Sequence, residues 1–394
     1  MISMRTVGVE EELLVVDPAG TPVPLAPAAL EAAARRGDGE TVEEHDRVER
    51  TTDEPADDGV ENTGRAPGAH LVPELKAQQI ELGTRVCQQL SEVAAELRHW
   101  RGRADAAARS AGARVAALAS APVPVEPVTT PGERYERMVE VFGLTAMEQL
   151  TCGCHVHVSV ADDEEGVAVL DRIRVWLPVL TALTANSPFW LGQDSGYASY
   201  RSQAWGRWPS AGPNGPFGSA AAYHRLLADV LATETVLDEG MVYFDARLSA
   251  TWPTVEIRVA DVALDVADAV LLAGLVRGLV ETAARQWRAG EPAPDVPAEV
   301  LRLAGWRAGR SGLGGDLVDP RTGRPAPAAD VLRALVERVR PALADAGDEQ
   351  LVTEGVADVL RRGSGAVLQR SVYAETGDLA AVVRAAVVAT HADR

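Results

Sequence analysis

Three segments of this chain alternate polar and apolar residues with the two-residue period of a β-strand. They are residues 6–16, 150–160 and 254–261. Side chains two apart share one face of a strand, so each segment can bury an apolar face while its other face carries charged or imidazole groups. Strands and helices do not alternate regularly along the chain, which argues against a doubly wound parallel sheet. We therefore predict an α+β fold around an antiparallel sheet.

The first segment carries two acidic residues on one face. Glu10 and Glu12 point one way, while Glu11 points the other way among valines and leucines. Two neighbouring carboxylates are candidate metal ligands. For a pair considered alone, the solvated face of an antiparallel sheet is the commoner explanation.

The second segment carries two histidines on one face. His155 and His157 point away from Cys152 and Cys154. A zinc cluster of these cysteines and histidines would need both faces to converge, so a regular strand argues against it. The imidazoles can be ordinary core or surface histidines, or they can ligate a metal or contact a phosphate.

The third segment places Glu256 and Arg258 on one face, opposite Val255, Ile257 and Val259. A structural salt bridge is the ordinary explanation of such a pair. The same layout nevertheless recurs in all three segments. A sheet face lined with carboxylates, imidazoles and a guanidinium is costly unless cations or anionic ligands neutralise it.

Residues 72–119 read as helical, because helix-forming residues recur there at a 3.6-residue spacing. In that helix Glu74, Gln78 and Glu81 would share one stripe and add two carboxylates to the same place. A solvated helix face explains the stripe equally well. Oxygen-rich ligands with an imidazole suit Mg²⁺ or Mn²⁺, which makes nucleotide chemistry plausible.

The basic residues restrict how phosphate can be bound. Lys76 is the single lysine, and no Gly-Lys-Ser/Thr phosphate-binding loop is present. Arginines, metal ions or backbone amides must handle phosphate instead, and Arg201 and Arg258 are the first candidates. The net charge of −19 argues against nucleic acid or an anionic membrane as a partner. The arginines in segments where side chains can converge are Arg201, Arg207, Arg247, Arg258, Arg307 and Arg310.

The remaining segments complete the expected organisation. Residues 26–36 and 166–186 are predicted helices, and residues 37–68 are predicted to be an acidic, mobile loop. Residues 187–217 are irregular and aromatic, as in a substrate-covering loop. The apolar run 262–287 is broken by Asp265, Asp268, Arg277 and Glu281, so we expect a core helix and not a membrane span.

The amino-terminal sequence and the cysteines favour a cytoplasmic protein. Three glutamates interrupt the first apolar residues, which is not typical of a signal peptide. Three cysteines do not make a disulfide framework, and we expect them to be thiols.

Several motifs, in order along nearly the whole chain, resemble the type-two glutamate-cysteine ligase family, also called carboxylate-amine ligases, of the glutamine synthetase superfamily. The ordered set is far more specific than any one motif. The motifs are GVEEELLVVD, PELKAQQIELGTRVC, GCHVHVSV, NSPFWLGQDSGYASYRSQAWGRWP, PTVEIRVAD, WRAGRSGLGGDLVD and GSGAVLQR.

The resemblance implies one catalytic domain over residues 1–394, with an antiparallel sheet that forms a funnel flanked by helices. ATP and glutamate would enter at opposite ends, with magnesium between them and an amine as the second substrate. Arg258 would stabilise the transferred phosphoryl group, and Arg201 would hold a substrate carboxylate. His157, Arg247 and Arg310 are the expected nucleotide-binding residues. The implied metal ligands are Glu10, Glu12, Glu74, Glu81, His155 and Glu256.

Two other functions remain open at this stage. The same carboxylates and histidines could activate water in a metal-dependent amide hydrolase. The fold could also serve a non-catalytic ligand-binding protein. The acceptor amine can be cysteine, another amino acid or a non-protein amine, and relatives of this family suggest a homodimer.

Overall fold

The computed structural model describes the backbone of residues 4–52 and 70–392, and the side chains of residues 4–47 and 70–392. The strands are β1 Val7–Val16, β2 His70–Pro73, β3 Gln79–Gly83, β4 Arg114–Ala116, β5 Gly153–Ser159, β6 Phe189–Trp190, β7 Gln193–Asp194, β8 Ala246–Leu248, β9 Thr254–Asp261, β10 Asp316–Asp319 and β11 Arg324–Pro327. The helices are α1 Ala26–Ala34, α2 Val42–Thr52, α3 Leu90–Ser110, α4 Glu133–Phe142, α5 Leu144–Met147, α6 Asp163–Ile173, α7 Leu177–Leu183, α8 Arg201–Trp205, α9 Ala220–Ala232, α10 Val266–Arg288, α11 Ala298–Ser311, α12 Ala328–Ala346, α13 Glu349–Arg362, α14 Gly365–Thr376 and α15 Leu379–Thr390.

One antiparallel sheet organises the chain. Its strand order is β2-β3-β1-β5-β9-β8, and β4 pairs with the end of β1. The central strands β1, β5 and β9 are the three segments predicted from alternation, and all three are confirmed as strands. The prediction of an α+β fold on an antiparallel sheet flanked by helices is also confirmed.

The apolar face of this sheet packs against helices. Helix α10 contacts β1 and β5, α3 contacts β1 and β3, and α6 contacts β9. Val9, Val156 and Ile257 lie on this face and are almost fully buried. Each such side chain stabilises the fold by roughly 1.5–3 kcal/mol. The sheet therefore has one face committed to the core, which leaves the opposite face for polar groups.

Glu11 is the exception on the apolar face, and it has a dedicated partner. Its carboxylate accepts two hydrogen bonds from Arg101 of α3, each 2.7 Å long. Arg101 also donates to the carbonyl oxygens of Ala263 and Thr390. Both charged side chains are almost completely buried. This pair ties β1 to α3 and to the end of α15.

The prediction of helix over residues 72–119 was wrong for residues 72–89 and for residues 111–119, which include strand β4. Residues 70–83 form the hairpin β2–β3, and the helical part, α3, begins at Leu90. Gln79, Ile80, Glu81 and Leu82 alternate between the two faces of the sheet. Pairing with β1 and β2 overrides the helix propensity of Leu, Lys, Ala, Gln and Glu in this segment.

The expected helical stripe of Glu74, Gln78 and Glu81 therefore does not exist. Gln78 points away from the two glutamates, since its amide binds Glu126 O at 2.8 Å and Val128 N at 3.0 Å. Nearby, Lys76 is fully buried, and its Nζ donates to Thr129 Oγ1 at 3.0 Å.

Two further expectations need correction. Within the stretch 37–68, expected to be an irregular loop, the structure has helix α2 over Val42–Thr52, and residues 53–68 lie outside the described residues. The expected single helix 166–186 is two helices, α6 and α7. The apolar run at 262–287 does form a core helix, α10, and no helix in the described ranges is long and apolar enough to cross a membrane. Cys87, Cys152 and Cys154 are free and buried, as expected.

Candidate active site

A cavity of about 400 Å³ lies over the polar face of the sheet. Its floor is made by the face-sharing residues of four adjacent strands, β3, β1, β5 and β9. Strand register sets their order, because Glu12 pairs with Glu81, Glu10 with His155, and His157 with Glu256. Local sequence alternation decides which side chains face the cavity, and antiparallel pairing decides which of them meet.

The first group of candidate ligands is Glu10, His157 and Glu256. One ligand atom from each lies within 4.8 Å of the others. His157 Nδ1 lies 3.0 Å from Thr254 Oγ1, which orients the ring and directs Nε2 toward Glu10 Oε1 at 3.4 Å. A hydrogen bond at the other ring nitrogen is the usual way in which a metal-binding histidine is held.

His155 lies against the same group. Its Nδ1 is 3.5 Å from Glu10 Oε2 and 3.9 Å from Glu256 Oε1. Burial, with a further contribution from the charge of Arg258, lowers the pKa of His155 to about 4. The ring is therefore neutral at neutral pH, as a metal ligand must be. The sequence suggested His155 as the ligand and His157 near phosphates, whereas the geometry brings His157 into the ligand group and leaves His155 beside it.

The second group is Glu12, Glu74 and Glu81, whose ligand atoms also lie within 4.8 Å of one another. Glu12 Oε2 accepts a hydrogen bond from Gly153 N at 2.7 Å. Glu74 follows β2 and Glu81 lies on β3. The sequence analysis expected Glu74 and Glu81 to reach this site from a helix. In the structure they reach it from the β2–β3 hairpin.

Burial and the crowding of carboxylates raise the pKa values of two members of the second group, Glu74 and Glu81. Burial and the neighbouring charge of Glu12 raise the pKa of Glu74 to about 7. Burial, followed by the charges of Glu10 and Glu74, raises the pKa of Glu81 well above its usual range. Carboxylates crowded in this way are the hard oxygen donors that Mg²⁺ and Mn²⁺ prefer. The donor set therefore fits a divalent cation.

Glu256 is held differently, by two arginines. Its Oε2 accepts a hydrogen bond from Arg247 Nε at 2.7 Å, and its Oε1 contacts Arg258. Burial would raise the pKa of Glu256, but these two guanidinium groups outweigh it and lower the pKa below its usual range. Arg258 also lies over the rings of Trp205 and Tyr243, at 5.9 Å and 5.8 Å from their centroids.

Tyr243 and Trp205 were not identified as individual site residues from the sequence. Trp205 belongs to the aromatic segment expected to cover a substrate, and it lines the cavity. Tyr243 precedes β8 and has no flanking pattern that marks it. Its place beside Arg258 follows only from the folded chain.

Arg201 lies at the start of α8 and is almost fully buried. Its guanidinium approaches Gly153 so closely that a Cβ at residue 153 would collide with it. Arg201 borders a neighbouring cavity that shares Trp205 and Arg258 with the main one. Arg247 lines the main cavity, whereas Arg310 does not border it and binds the carbonyl oxygen of Gly196.

The loop that carries Arg201 is fixed to the sheet by Asp261 at the end of β9. The Asp261 carboxylate accepts hydrogen bonds from Ser187 Oγ at 2.7 Å, Ser199 Oγ at 2.8 Å and Asn186 N at 2.8 Å. Simple alternation places Asp261 on the face opposite Glu256 and Arg258, so the sequence analysis did not include it. In the structure a register shift between β5 and β9 pairs Asp261 with Gly153, whose nitrogen binds Glu12. Its contribution is to position the loop.

Comparison with known proteins identifies a family. Residues 6–385 match the family model described as glutamate-cysteine ligase family 2. A protein of Streptomyces avermitilis with the provisional name glutamate–cysteine ligase 2-1 is 52% identical over 377 residues, which are 95% of this chain and 96% of the relative. A Streptomyces coelicolor protein with the provisional name glutamate–cysteine ligase 2 is 52% identical over 390 residues, which are 99% of this chain and 100% of the relative.

Solved structures share the fold. The glutamate–cysteine ligase of Francisella tularensis, in complex with AMP, superposes with a TM-score of 0.67 and 13% identity over 99% of this chain and 89% of that chain. A bifunctional glutathione synthetase from Pasteurella multocida superposes with a TM-score of 0.65 and 15% identity over 98% of this chain and 52% of that chain. The chain therefore has the fold of these two solved enzymes.

Proposed function

Because the chain belongs to glutamate-cysteine ligase family 2, we propose that it is an ATP- and magnesium-dependent ligase that joins the side-chain carboxylate of glutamate to an amine. The observation that carries the proposal is the pair of three-residue ligand groups in one cavity, beside two arginines. A triphosphate brings the negative charge that such a site, once loaded with cations, can bind.

The ligand groups have separate roles in the proposal. Glu10, His157 and Glu256, with His155 beside them, would hold one cation, and Glu12, Glu74 and Glu81 would hold another. When bound, Mg²⁺ offsets the charge that develops on phosphoryl oxygens.

The arginines act on the phosphoryl group and the donor. A carboxylate does not acylate an amine at neutral pH, so the glutamate side chain first accepts the γ-phosphoryl group of ATP and ADP leaves. The amine then attacks the acyl phosphate, and phosphate leaves. Arg258, held by Glu256 and lying over the rings of Trp205 and Tyr243, would stabilise the transferred group. Arg201 would bind a substrate carboxylate.

The test is a product assay with a panel of amines. The protein is incubated with ATP, Mg²⁺ and glutamate plus cysteine, other amino acids, simple amines or hydroxylamine, and products are identified by mass. We expect ADP and phosphate release that requires glutamate, Mg²⁺ and an amine together, with a γ-glutamyl amide as product. Glu256→Gln should abolish it.

Two outcomes would contradict the proposal. No turnover with any amine, despite ATP binding, would favour a non-catalytic protein. Cleavage of amides without nucleotide would favour a metal-dependent hydrolase.

A further inference from the structure

A second cavity of about 300 Å³ lies beside the edge of β9, between α7, α8 and α11. It shares only Trp205 and Arg258 with the main cavity. None of the six carboxylate and imidazole residues of the two ligand groups borders it. The second cavity is therefore a separate compartment that meets the main one at Arg258.

One wall of the second cavity carries an acidic and a basic side chain that flank the same residue. Asp245 N donates to Gly212 O at 3.0 Å, and a Cβ at residue 212 would lie 3.3 Å from the guanidinium nitrogens of Arg302. Asp245 and Arg302 both line the cavity. They are thus near neighbours on one wall.

Neither group has a partner among the described residues. No hydrogen bond or ion pair joins the Asp245 carboxylate or the Arg302 guanidinium to another side chain there. Burial raises the pKa of Asp245 to about 6, with only the charge of Arg302 acting in the opposite direction. Asp245 is half-buried and Arg302 is exposed at the rim of the cavity. A half-buried carboxylate without a hydrogen-bond donor is costly, and a ligand that donates would relieve the cost.

The far end of the cavity is formed by Arg201 and Arg258. Both are almost fully buried, and the Nε atom of each has no hydrogen-bond partner in the part of the chain that is described. The rest of the lining is mostly apolar, with Leu301, Phe244 and Trp306, and it also includes the polar side chains of Ser202 and Gln203. The cavity therefore offers an acceptor and a donor on one wall and a mostly apolar passage toward the arginines.

From this arrangement we propose that the second cavity binds the α-amino and α-carboxylate groups of an amino-acid substrate. Asp245 accepts hydrogen bonds from the α-ammonium group, and Arg302 donates to the α-carboxylate. The substrate side chain then points toward Arg258 and the main cavity. The inference rests on the proposed function for the identity of the ligand, which is either the glutamate donor or an amino-acid acceptor.

Binding is measured on the full chain by isothermal titration calorimetry, which needs no turnover. The ligands are L-glutamate, L-cysteine, their N-acetyl derivatives and their α-amides. Asp245→Asn should weaken binding of the intact amino acid at least tenfold, because a charge-assisted hydrogen bond is lost, and should leave the N-acetyl derivative within twofold. Arg302→Gln should weaken the intact amino acid equally and leave the α-amide within twofold.

A third variant tests whether binding needs the open volume of the second cavity, without removing a charged group. A Cβ at Gly305, which lines the cavity, meets nothing within 4 Å. Gly305→Leu should therefore fill the cavity and weaken binding of the intact amino acid, with the protein still folded. Glu299→Gln on α11 and Arg333→Gln on α12 are exposed controls outside the cavity and should bind within twofold of the wild type.

The two amino acids distinguish the source of the ligand. Sensitivity of glutamate binding to Asp245→Asn and Arg302→Gln assigns the cavity to the donor, and sensitivity of cysteine binding assigns it to the acceptor. The inference is overturned if the wild type binds neither amino acid, or if both variants bind both within twofold. Failure of the ligase proposal is seen separately, as absence of a γ-glutamyl product from the wild type.

Discussion

Adjacent glutamates on β1 have opposite environments. Glu11 is buried against Arg101, which donates two hydrogen bonds to it. Glu12 faces Glu74 and Glu81 and forms no ion pair with a basic side chain in the described part of the chain, although burial, which raises its pKa, is opposed by the charges of Arg201 and Arg258. Successive side chains of a strand point to opposite faces, so these neighbouring glutamates lie on different faces of the sheet. We therefore expect the Glu11 carboxylate to stabilise the fold. We expect the Glu12 carboxylate to reduce the stability of the metal-free protein, because it is crowded by other carboxylates at the ligand site.

The first prediction contrasts these neighbours. Glu11→Gln leaves Arg101 buried without a counter-charge, so the free energy of unfolding should fall by about 3–5 kcal/mol. Glu12→Gln removes repulsion from a crowded group, so stability in metal-free buffer should be equal or higher. Product formation by Glu12→Gln should fall by roughly two orders of magnitude or more, because a cation ligand is lost. Urea unfolding and the product assay measure the two effects. A loss of several kcal/mol in Glu12→Gln would contradict the assignment.

The second prediction concerns acid stability at Asp105 of α3. Burial would raise its pKa, but the hydrogen bonds and charges of His391 and Arg114 outweigh burial and lower it to about 2. The folded pKa lies below the unfolded value of about 4, so the contribution of roughly 2 kcal/mol is complete above pH 4 and is lost as pH falls toward 2. The stability difference between wild type and Asp105→Asn should therefore shrink over that range. Denaturant titrations at several pH values measure it, and a difference independent of pH would refute the prediction.

At the scale of elements, sequence periodicity predicted the secondary structure correctly where one face of a segment is strongly apolar. The segments that form β1, β5 and β9 have such a face, interrupted in β1 only by Glu11, and were predicted correctly as strands. The β2–β3 hairpin consists of helix-forming residues and contains only short alternation, so local propensity favoured a helix. Pairing with β1, a strand more than sixty residues earlier in the sequence, decides its structure.

The third prediction tests the hairpin. Gln78→Leu leaves Glu126 O and Val128 N without their side-chain partner, which should lower the free energy of unfolding by roughly 1–3 kcal/mol. The magnesium affinity of Gln78→Leu should differ from that of the wild type by less than twofold, whereas Glu81→Gln should bind magnesium clearly more weakly. Calorimetric titration of both variants with MgCl₂ measures these affinities. Equal losses of affinity would instead support a shared helical stripe.

At the scale of the whole molecule, the two ligand groups combine residues that are far apart in the sequence, from Glu10 to Glu256. The sequence could predict which side chains share a face of each strand. It could not predict that Glu12 lies beside Glu81, or that His157 lies beside Glu256, because register depends on long-range pairing. Nor could it predict the second cavity, whose wall joins Gly212, Asp245 and Arg302.

The fourth prediction follows from the concentration of negative charge at this assembled site. A ligand that binds only the folded state stabilises it by about 2.7 kcal/mol at one hundred times its dissociation constant. MgCl₂ or MnCl₂ should therefore raise the melting temperature above that in NaCl of the same ionic strength. Glu12→Gln should reduce the increase, and the exposed variant Glu299→Gln should retain it. An equal rise with NaCl would show general screening and no specific site.

The burial of Lys76 has a practical consequence for the whole chain. Lysine-directed reagents find one target in this sequence, and its Nζ is enclosed and bonded to Thr129. A fluorescent succinimidyl ester can therefore acylate that side chain only in molecules whose β2–β3 connection has opened. Covalent tagging at Lys76, located by mass spectrometry of peptides, would therefore report how often this connection opens at the edge of the ligand cluster.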